Sequence, residues 1–591
     1  MSLSTTIKSI QDIMRKDDGV DGDAQRLGQL TWMLFLKVFD QREEEWEDDD
    51  PAYVSPIPER FRWRNWAAYR TDAQGKKKPQ IAGSEVIPFV TDMFNTLKND
   101  LDGSKGPQHL VIKQVFEDAN NYMKSGTLML SVIEKLEDAI DFHDFKTRSS
   151  LGDVYEQMLN DLRGAGNAGE FYTPRAITSF MVAQVNPSLA KRETVLDPAC
   201  GTGGFLTAAI DHFRNQLSNK SGADDKRAIE ELIRGIEKKQ LPHLLCTTNM
   251  LLHGIDVPSQ IEHRNTLGRP WNDWRAHEKV DCLITNPPFG GYEDDGVGAD
   301  FPSDLRTRET ADMFITLIIK KLLKENGRAA VVLPDGFLFG DGIKGQLKRL
   351  LLRECNLHTI VRLPKGVFAP YTTIKTNLLF FTKGAMVDDG SDHFHTETIW
   401  FYEHQYPAGY KSYSKTKPIR LEEFKPLQEW WGSEDNDFAD REPSEFAFRI
   451  DFKAKREAAE AAAKPHWQRA EALNNEAVAL EGEMRALRTS LTGTTNAQHR
   501  RVVEGEIAAI RDQAETKRSQ ARDAQAVGDR LYWPIYNLDL KNPDAPDQES
   551  HDPDVLLEKY AALLSQIQET QNQLKSELGA ALAHHVLGEA V

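Results

Sequence analysis

Asn286-Pro287-Pro288-Phe289 is a tetrapeptide whose residue types ask for a chemical explanation. It follows Cys282-Leu283-Ile284-Thr285, a short apolar run that reads as a buried strand. Proline lacks an N–H and fixes φ, so Pro-Pro can neither continue a sheet nor enter a helix interior. The strand therefore ends in a rigid loop. That loop offers two hydrogen-bond acceptors, the Asn286 side-chain carbonyl and the Pro287 backbone carbonyl, and an aromatic face at Phe289. The prolines add no N–H donors to compete. Such a loop suits an amine whose lone pair is delocalised: accepting both hydrogens draws the nitrogen toward tetrahedral geometry and turns its lone pair outward. Taken alone the tetrapeptide is also a plain turn, and as a catalytic loop it leaves glutamine, RNA and DNA open as substrates.

A second constellation lies upstream. Val195 to Phe205, VLDPACGTGGF, runs from a strand through a glycine-rich turn to a helix starting near Phe205. Gly201, Gly203 and Gly204 permit unusual φ values and let a ligand touch backbone. A turn of this kind could cradle a dinucleotide pyrophosphate. However, Asp197 ends the strand at the turn, where its carboxylate repels a phosphate and attracts an ammonium, and the spacing is not G-x-G-x-x-G. An adenosine carrying an amino acid suits it better. Glu237 ends the next strand, in GIEKK. A carboxylate there accepts hydrogen bonds from both ribose hydroxyls; the bland alternative is a solvated strand-end residue. NAGEFYTPR, Asn167 to Arg175, precedes the first strand, with Thr173 suited to cap a helix and Pro174 to its first position. Phe171 and Tyr172 are compatible with ordinary packing.

The elements that must position these residues follow from hydrophobic patterning. Strands are predicted at Thr194–Asp197, Ile233–Glu237, Cys282–Thr285, Arg328–Leu333, His358–Leu363 and Asn377–Phe381, alternating with helical segments. That alternation predicts an α/β, doubly wound, mostly parallel sheet over 151–402. Its ligands bind at the carboxyl ends of the strands, where the residues above sit. Residues 1–150 read as a helical domain, with Leu30 to Phe39 in a buried helix. Within it, RFRWRNWAAYR (Arg60 to Arg70) interleaves basic and aromatic residues, either as packing or as a nucleic-acid contact. Residues 403–450 read as an irregular connector and 451–591 as a helical hairpin with a tail helix. Leu473, Ala477, Leu480, Met484, Leu487 and Leu491 make a coiled-coil seam, TGTTN at Thr492 to Asn496 breaks it, and Val503, Ile507, Ile510 and Ala514 resume it. The tail helix carries Leu556, Tyr560, Leu563, Ile567 and Leu574 on one face. Seam and tail serve either internal packing or subunit contact.

At 591 residues the chain is too long for one core. No apolar run approaches the ~20 residues of a membrane span, and the start shows no secretory pattern. Cys200, Cys246, Cys282 and Cys355 show no CxxC pairing, so no disulfide framework or zinc site is expected, and a cytoplasmic location is. The net charge of −18 argues against a surface coated for nucleic acid, though not against a local basic groove or a partner that carries the phosphate contacts.

GEFYTPR, DPACGTGGF, GIEKK, TNPPFGG, GRAAVVLPDGFLF and HTIVRLPKGVF…TNLLFFTKG, in that order over about 169–384, resemble the methylase (modification) subunits of type I restriction–modification systems. The N-terminal helical region and YNLDLKNP are similar more loosely. The resemblance implies a class I S-adenosylmethionine-dependent methyltransferase of Rossmann-like fold that makes N6-methyladenine in double-stranded DNA. By it, Glu170, Phe171, Tyr172, Thr173, Pro174 and Arg175 cover the methionine end of the cofactor. Thr202, Gly203 and Gly204 match its glycine turn, Glu237 the ribose ligand, and Asn265 the segment beside the cofactor's adenine, where an acidic residue is common in other adenine methylases. The resemblance also implies a specificity subunit that reads the DNA, two methylase subunits to one reader, and a separate motor–nuclease subunit. No GxxxxGK[ST] phosphate loop is present, so ATP hydrolysis is not expected of this chain. The rival functions are a methylase of glutamine or RNA, a silent scaffold in a defence complex, and a self-sufficient restriction–methylation polypeptide.

Overall fold

The computed structural model describes residues 3–141, 152, 155–156, 159, 172–218, 222–369, 372–385, 393–414, 416–492, 495–545 and 553–588. The N-terminal region is built from helices α1 (Leu3–Met14), α2 (Asp23–Asp49), α3 (Val86–Asn95), α4 (Pro107–Asp118) and α5 (Gly126–Ala139). Leu27 to Asp40 of α2 is buried on all sides, because Leu30 to Phe39 is almost uniformly apolar and has no polar face to turn outward. The acidic second half of α2 receives the basic residues of the Arg60–Arg70 stretch. Arg62 pairs with Glu47 at 2.7 Å, and Arg64 with Asp40 at 3.0 Å and Glu47 at 2.9 Å. Arg60 pairs with Asp92 at 2.9 Å, while Phe61, Trp63 and Trp66 are buried. The stretch is a packing element: the guanidinium groups of Arg60, Arg62 and Arg64 are matched by carboxylates, and Phe61, Trp63 and Trp66 face a core.

A nine-stranded sheet follows. Its strands are β1 (Val195–Asp197), β2 (Ile233–Glu237), β3 (Ile261–His263), β4 (Val280–Thr285), β5 (Leu323–Pro334), β6 (Cys355–Arg362), β7 (Thr376–Lys383), β8 (Thr398–Glu403) and β9 (Ala447–Asp451). The order across the sheet is β9-β8-β6-β7-β5-β4-β1-β2-β3. Pairs β3/β2, β2/β1, β1/β4, β4/β5 and β8/β6 are parallel, and β7 is inserted antiparallel between β5 and β6. The chain builds outward from β1 to β2 and β3, then crosses back to β4 on the other side of β1. That reversal opens a crevice beyond the carboxyl ends of β1 and β4. Helices α6 (Arg175–Val185), α7 (Gly204–Asn215), α8 (Ala223–Leu232), α9 (Gln240–Leu252), α10 (Thr310–Leu317) and α11 (Ile343–Glu354) connect the strands. The patterning locates six of the strands. It misses β3, three residues long and too short for a period, and β8 and β9, which lie at the opposite edge.

The segment 403–450 is largely irregular, as expected, with one short α-helix at Lys425–Trp430, but it packs closely against the sheet. Phe424 stacks on Phe180 of α6 with ring centroids 4.3 Å apart, and Trp431 meets Phe380 of β7 edge-on at 4.8 Å. Arg441 is buried over the Phe438 ring at 3.8 Å and donates to Thr359 Oγ1 at 2.8 Å. The aromatics are spaced without period, which hides from the sequence that they cover the sheet.

Helices α12 (Phe452–Ser490) and α13 (Ala497–Tyr532) form the hairpin, broken where expected. Leu473 and Ala477 on one side and Val503, Ala514, Ala521 and Ala524 on the other are buried, and Lys517 and Arg518 pair across to Glu476 and Glu481. The chain itself fills the seam at these positions, while Leu480, Met484, Leu487, Leu491, Ile507 and Ile510 are half-buried. Residues 443–448 and 541–591 make a separate compact unit. Within it Asn542 donates to the carbonyls of Ser444 and Glu445 at 3.0 and 2.9 Å. Its helix α14 (Pro553–Gly588) leaves Leu557, Tyr560, Leu563, Ile567 and Leu574 between 47% and 65% exposed. Among the described residues no helix is long and apolar enough to cross a membrane.

The N-terminal helices are fastened to the sheet by a buried carboxylate. Asp118, the last residue of α4, faces His243 Nδ1 of α9 at 2.6 Å and His263 Nδ1 of β3 at 2.9 Å. The two imidazoles stack at 4.9 Å and 15°, and the hydrogen bond of the cluster runs between Asp118 Oδ2 and His243 Nδ1, joining α4 to α9. Asp118→Ala leaves the buried His243 Nδ1 without this partner, at about 1–3 kcal/mol. The unfolding midpoint in scanning fluorimetry is expected to drop by several degrees; an unchanged midpoint would show that this bond carries no stability.

Candidate active site

A cavity of about 340 Å³ lies at the carboxyl ends of β1, β2 and β4. Its geometry starts with the glycine turn. Gly201 and Gly203 adopt φ of +54° and +85°, and a Cβ on Gly203 would stand 2.9 Å from Cys246 Sγ and 3.0 Å from Met250 Cε. Position 203 thus demands glycine on two counts, its left-handed backbone and the closeness of α9. With the turn held there, the Gly201 N–H donates to Glu237 Oε2 at 3.0 Å and the Lys239 N–H to Oε1 at 2.7 Å. Both Glu237 oxygens are oriented by backbone. Burial raises its pKa, and those N–H groups oppose the rise.

Asp197, at the end of β1, is buried. Its Oδ1 accepts from Thr285 Oγ1 at 2.7 Å and from the Ala199 N–H at 3.1 Å. Burial pushes its carboxyl up to about 7, the charge of Glu237 adding to the effect. The Thr285 bond ties the strand that carries the Asn-Pro-Pro-Phe loop directly to the glycine turn.

Asn286 follows Thr285. Its Nδ2 donates to Thr173 Oγ1 at 3.1 Å, which fixes the amide so that Oδ1 is the other way. Asn286 Oδ1 is buried and has no hydrogen-bond partner. Asn249 Oδ1 and Asn377 Oδ1 are also buried without a partner, but Asn286 is the one of the three that lines the cavity, where its oxygen is available to a donor. Pro287 is buried and Phe289 half-buried, and both line the cavity.

Of the residues expected to take part, Tyr172, Thr173, Asp197, Thr202, Gly204, Glu237, Asn286, Pro287, Pro288 and Phe289 share this one cavity. Gly203, Pro174, Arg175 and Asn265 stand outside its wall. Pro174 caps α6, and Arg175 is turned to Asp211 at 3.3 Å. Asn265 gives its Nδ2 to Glu293 at 3.2 Å and accepts the Leu267 N–H on Oδ1 at 3.1 Å. Glu170 and Phe171 lie outside the described residues. The wall also contains residues that motif spacing does not reveal: Lys238, Glu293, Thr310, Phe368 and Thr372. Phe368 belongs to LPKGVF, a stretch noticed only as part of a family signature, and Glu293 carries no motif at all.

Comparisons with known proteins agree with this geometry. The family model described as N-6 DNA Methylase matches residues 146–474, and that of the HsdM N-terminal domain matches 3–136. The type I restriction enzyme EcoEI methylase subunit of Escherichia coli is 48% identical over 99% of both chains. A crystal structure of a modification subunit, ascribed to a type I restriction enzyme of Vibrio vulnificus YJ016, is similar with a TM-score of 0.62 at 38% identity, covering 76% of this chain and 92% of that one. A chain from a structural study of complex assembly and conformational transition in the type I R-M system is similar with a TM-score of 0.67 at 29% identity, covering 97% and 98%. A cavity at the topological switch point, a glycine turn flanked by two buried carboxylates and an orphaned asparagine oxygen, on a chain that matches both family models, place this protein among the type I restriction enzyme methylase subunits, in the N-6 DNA methylase family.

Proposed function

We propose that this chain transfers a methyl group from S-adenosylmethionine to N6 of an adenine flipped out of double-stranded DNA. The observation that carries this reading is the buried, partnerless Asn286 Oδ1 at the end of β4. The cavity fits the cofactor: its volume suits a bound small molecule, Asp197 supplies an anion for an ammonium, and Glu237 has both oxygens held for a diol. Bound there, the cofactor supplies an electrophilic methyl on a sulfonium. The protein's own part is positioning and electrostatics. Asn286 Oδ1 and the Pro287 carbonyl accept the two hydrogens of the adenine amine, and the nitrogen lone pair is aimed along the remaining direction. Phe289 offers a face to the base, and Phe368 shares the same wall. Flipping an adenine out costs roughly a few kcal/mol in lost stacking and pairing, and stacking on an aromatic ring returns ~1–3 kcal/mol.

Partners follow from charge and surface. A chain of net charge −18 is poorly suited to hold DNA phosphates alone, which supports a reading in which a specificity subunit contacts and reads the DNA, with two methylase subunits per reader and an optional motor–nuclease subunit. The exposed apolar row of α14 is the surface proposed for subunit contact.

Three outcomes test this reading. Asn286→Ala is expected to abolish tritiated methyl transfer to DNA while calorimetry shows S-adenosylmethionine binding within about threefold of the original, the substitution removing an acceptor and no cofactor contact; loss of cofactor binding would sink the role. Thr173→Val removes the acceptor that orients the Asn286 amide and is expected to lower kcat about tenfold, roughly one oriented hydrogen bond's worth; an unchanged kcat would show that the amide needs no such anchor. The third outcome is a pH profile. A cationic ligand selects charged Asp197, so affinity for S-adenosylhomocysteine is full above about pH 7 and falls as pH drops through the raised pKa, by at most about tenfold per unit. The ligand-free fold responds oppositely, since it holds that proton more tightly than the unfolded chain does. Asp197→Asn should flatten the affinity profile, and a profile that persists in the variant assigns the titration elsewhere.

A further inference from the structure

Glu293 is a carboxylate with little reason to be where it is. It sits four residues beyond Phe289, only 6% exposed, and it lines the cavity together with Asp197 and Glu237. Its backbone is locked: the Glu293 N–H donates to the Arg308 carbonyl at 3.0 Å, and the Arg308 guanidinium returns two hydrogen bonds to the Glu293 carbonyl at 3.1 and 3.0 Å. The side chain reaches across to the elements that follow β2 and β3. Its Oε2 accepts from Lys238 Nζ at 2.9 Å and from Asn265 Nδ2 at 3.2 Å. Both contacts fall on Oε2. A carboxylate has about four lone-pair sites, so Oε1 keeps its accepting capacity.

Buried carboxylates are rare unless something pairs with them. This cavity has three, and the ligand of the proposed reaction has three donor groups along its length: the α-ammonium, the ribose diol and the 6-amino group of its adenine. Asp197 and Glu237 account for the first two. The third must lie at the end of the ligand away from its methionine half, past the ribose. Glu293 lies on that side, bonded to Lys238, the residue directly after Glu237. Asn265, the residue expected beside the adenine, has its amide nitrogen committed to Glu293 and its oxygen to the Leu267 N–H. Asn265 therefore orients the carboxylate instead of serving as the acceptor itself.

We propose that Glu293 is the acceptor for the cofactor's 6-amino group, and that it makes the cavity selective for adenosyl over 6-oxopurine ligands. Lys238 and Asn265 act as its positioning residues. A purine carrying a 6-oxo group would set an acceptor against this acceptor, repelling Glu293 Oε1 instead of pairing with it. Because Glu293 belongs to the loop that begins with Asn286, the same contact would tie the adenine end of the ligand to the loop that receives the target base. The assignment rests on the methyltransferase reading above.

The test is calorimetric binding of S-adenosylhomocysteine and S-inosylhomocysteine to the full chain and to Glu293→Gln. The unaltered chain is expected to prefer the adenosyl compound by at least about tenfold, the scale of one hydrogen bond to a charged group. Glu293→Gln, whose amide can donate as well as accept, is expected to bring the two within about threefold. Glu237→Gln should weaken both compounds alike and keep the preference. Equal binding of the two compounds by the unaltered chain overturns the assignment without any variant, and so does a preference undiminished in Glu293→Gln. If neither compound binds the unaltered chain, the methyltransferase reading itself falls and takes this inference with it.

Discussion

The candidate site is organised around one side-chain amide that the fold holds in a single orientation at the cavity wall. Three constraints meet at Asn286. Pro287 and Pro288 remove the backbone freedom that follows it. Thr173, at the head of α6, takes its Nδ2. Thr285, the residue before it, is bonded to Asp197 in the neighbouring strand. The acceptor and the glycine turn are consequently parts of one rigid unit, with Asp197 as the joint. A displaced turn would move the acceptor with it. That is the arrangement a methyl transfer needs, since the reacting atoms have to meet in line and near contact.

The cavity's electrostatics follow from the same compactness. Asp197, Glu237 and Glu293 line the same cavity, and burial opposes the ionisation of Asp197 and Glu237. The three carboxylates are partnered unevenly. Glu237 receives backbone N–H groups on both oxygens, Glu293 receives a lysine, and Asp197 receives only a hydroxyl and one N–H. Asp197 is left most dependent on an incoming cation, which suits a residue meeting an ammonium. On the proposed reading such a cavity is selective as well as receptive, because a ligand lacking one of the donors forgoes the hydrogen bond that the corresponding carboxylate can still accept.

The sequence makes this machinery legible wherever chemistry has to coincide with chain punctuation. Asn286 to Phe289 stand out because prolines cannot follow a strand without a reason, and the glycine turn because Gly203, left-handed and tight against α9, excludes a side chain. The doubly wound sheet is legible because buried parallel strands are continuous apolar runs. Glu293 is illegible for a matching reason: its position is set by a loop folding back through Arg308, with no period and no neighbouring motif to mark it. The packing of residues 403–450 escaped for the same cause, since Phe424, Trp431 and Arg441 pack through tertiary contacts that local spacing does not encode. Arg60 to Arg70 shows how the packing reading wins over the nucleic-acid one. Basic and aromatic residues in alternation suggest a nucleic-acid surface only while the acidic half of α2, far away in sequence, is left out of consideration.

That last point bears on how an acidic chain handles DNA. The cations of the Arg60–Arg70 stretch are matched at close range by Asp40, Glu47 and Asp92, and those of the hairpin by Glu476 and Glu481. Lys324 and Arg328 are likewise taken up by Asp281 and Glu193. A paired guanidinium releases few counterions from DNA, so these residues contribute little to the phosphate term that dominates such affinities. On the proposed reading, base contacts in the cavity do not substitute for it, because a flipped base is reached only after the duplex has been held. Holding and flipping are then separable tasks, and the matched cations of this chain support the proposal that gives it the second and a partner subunit the first.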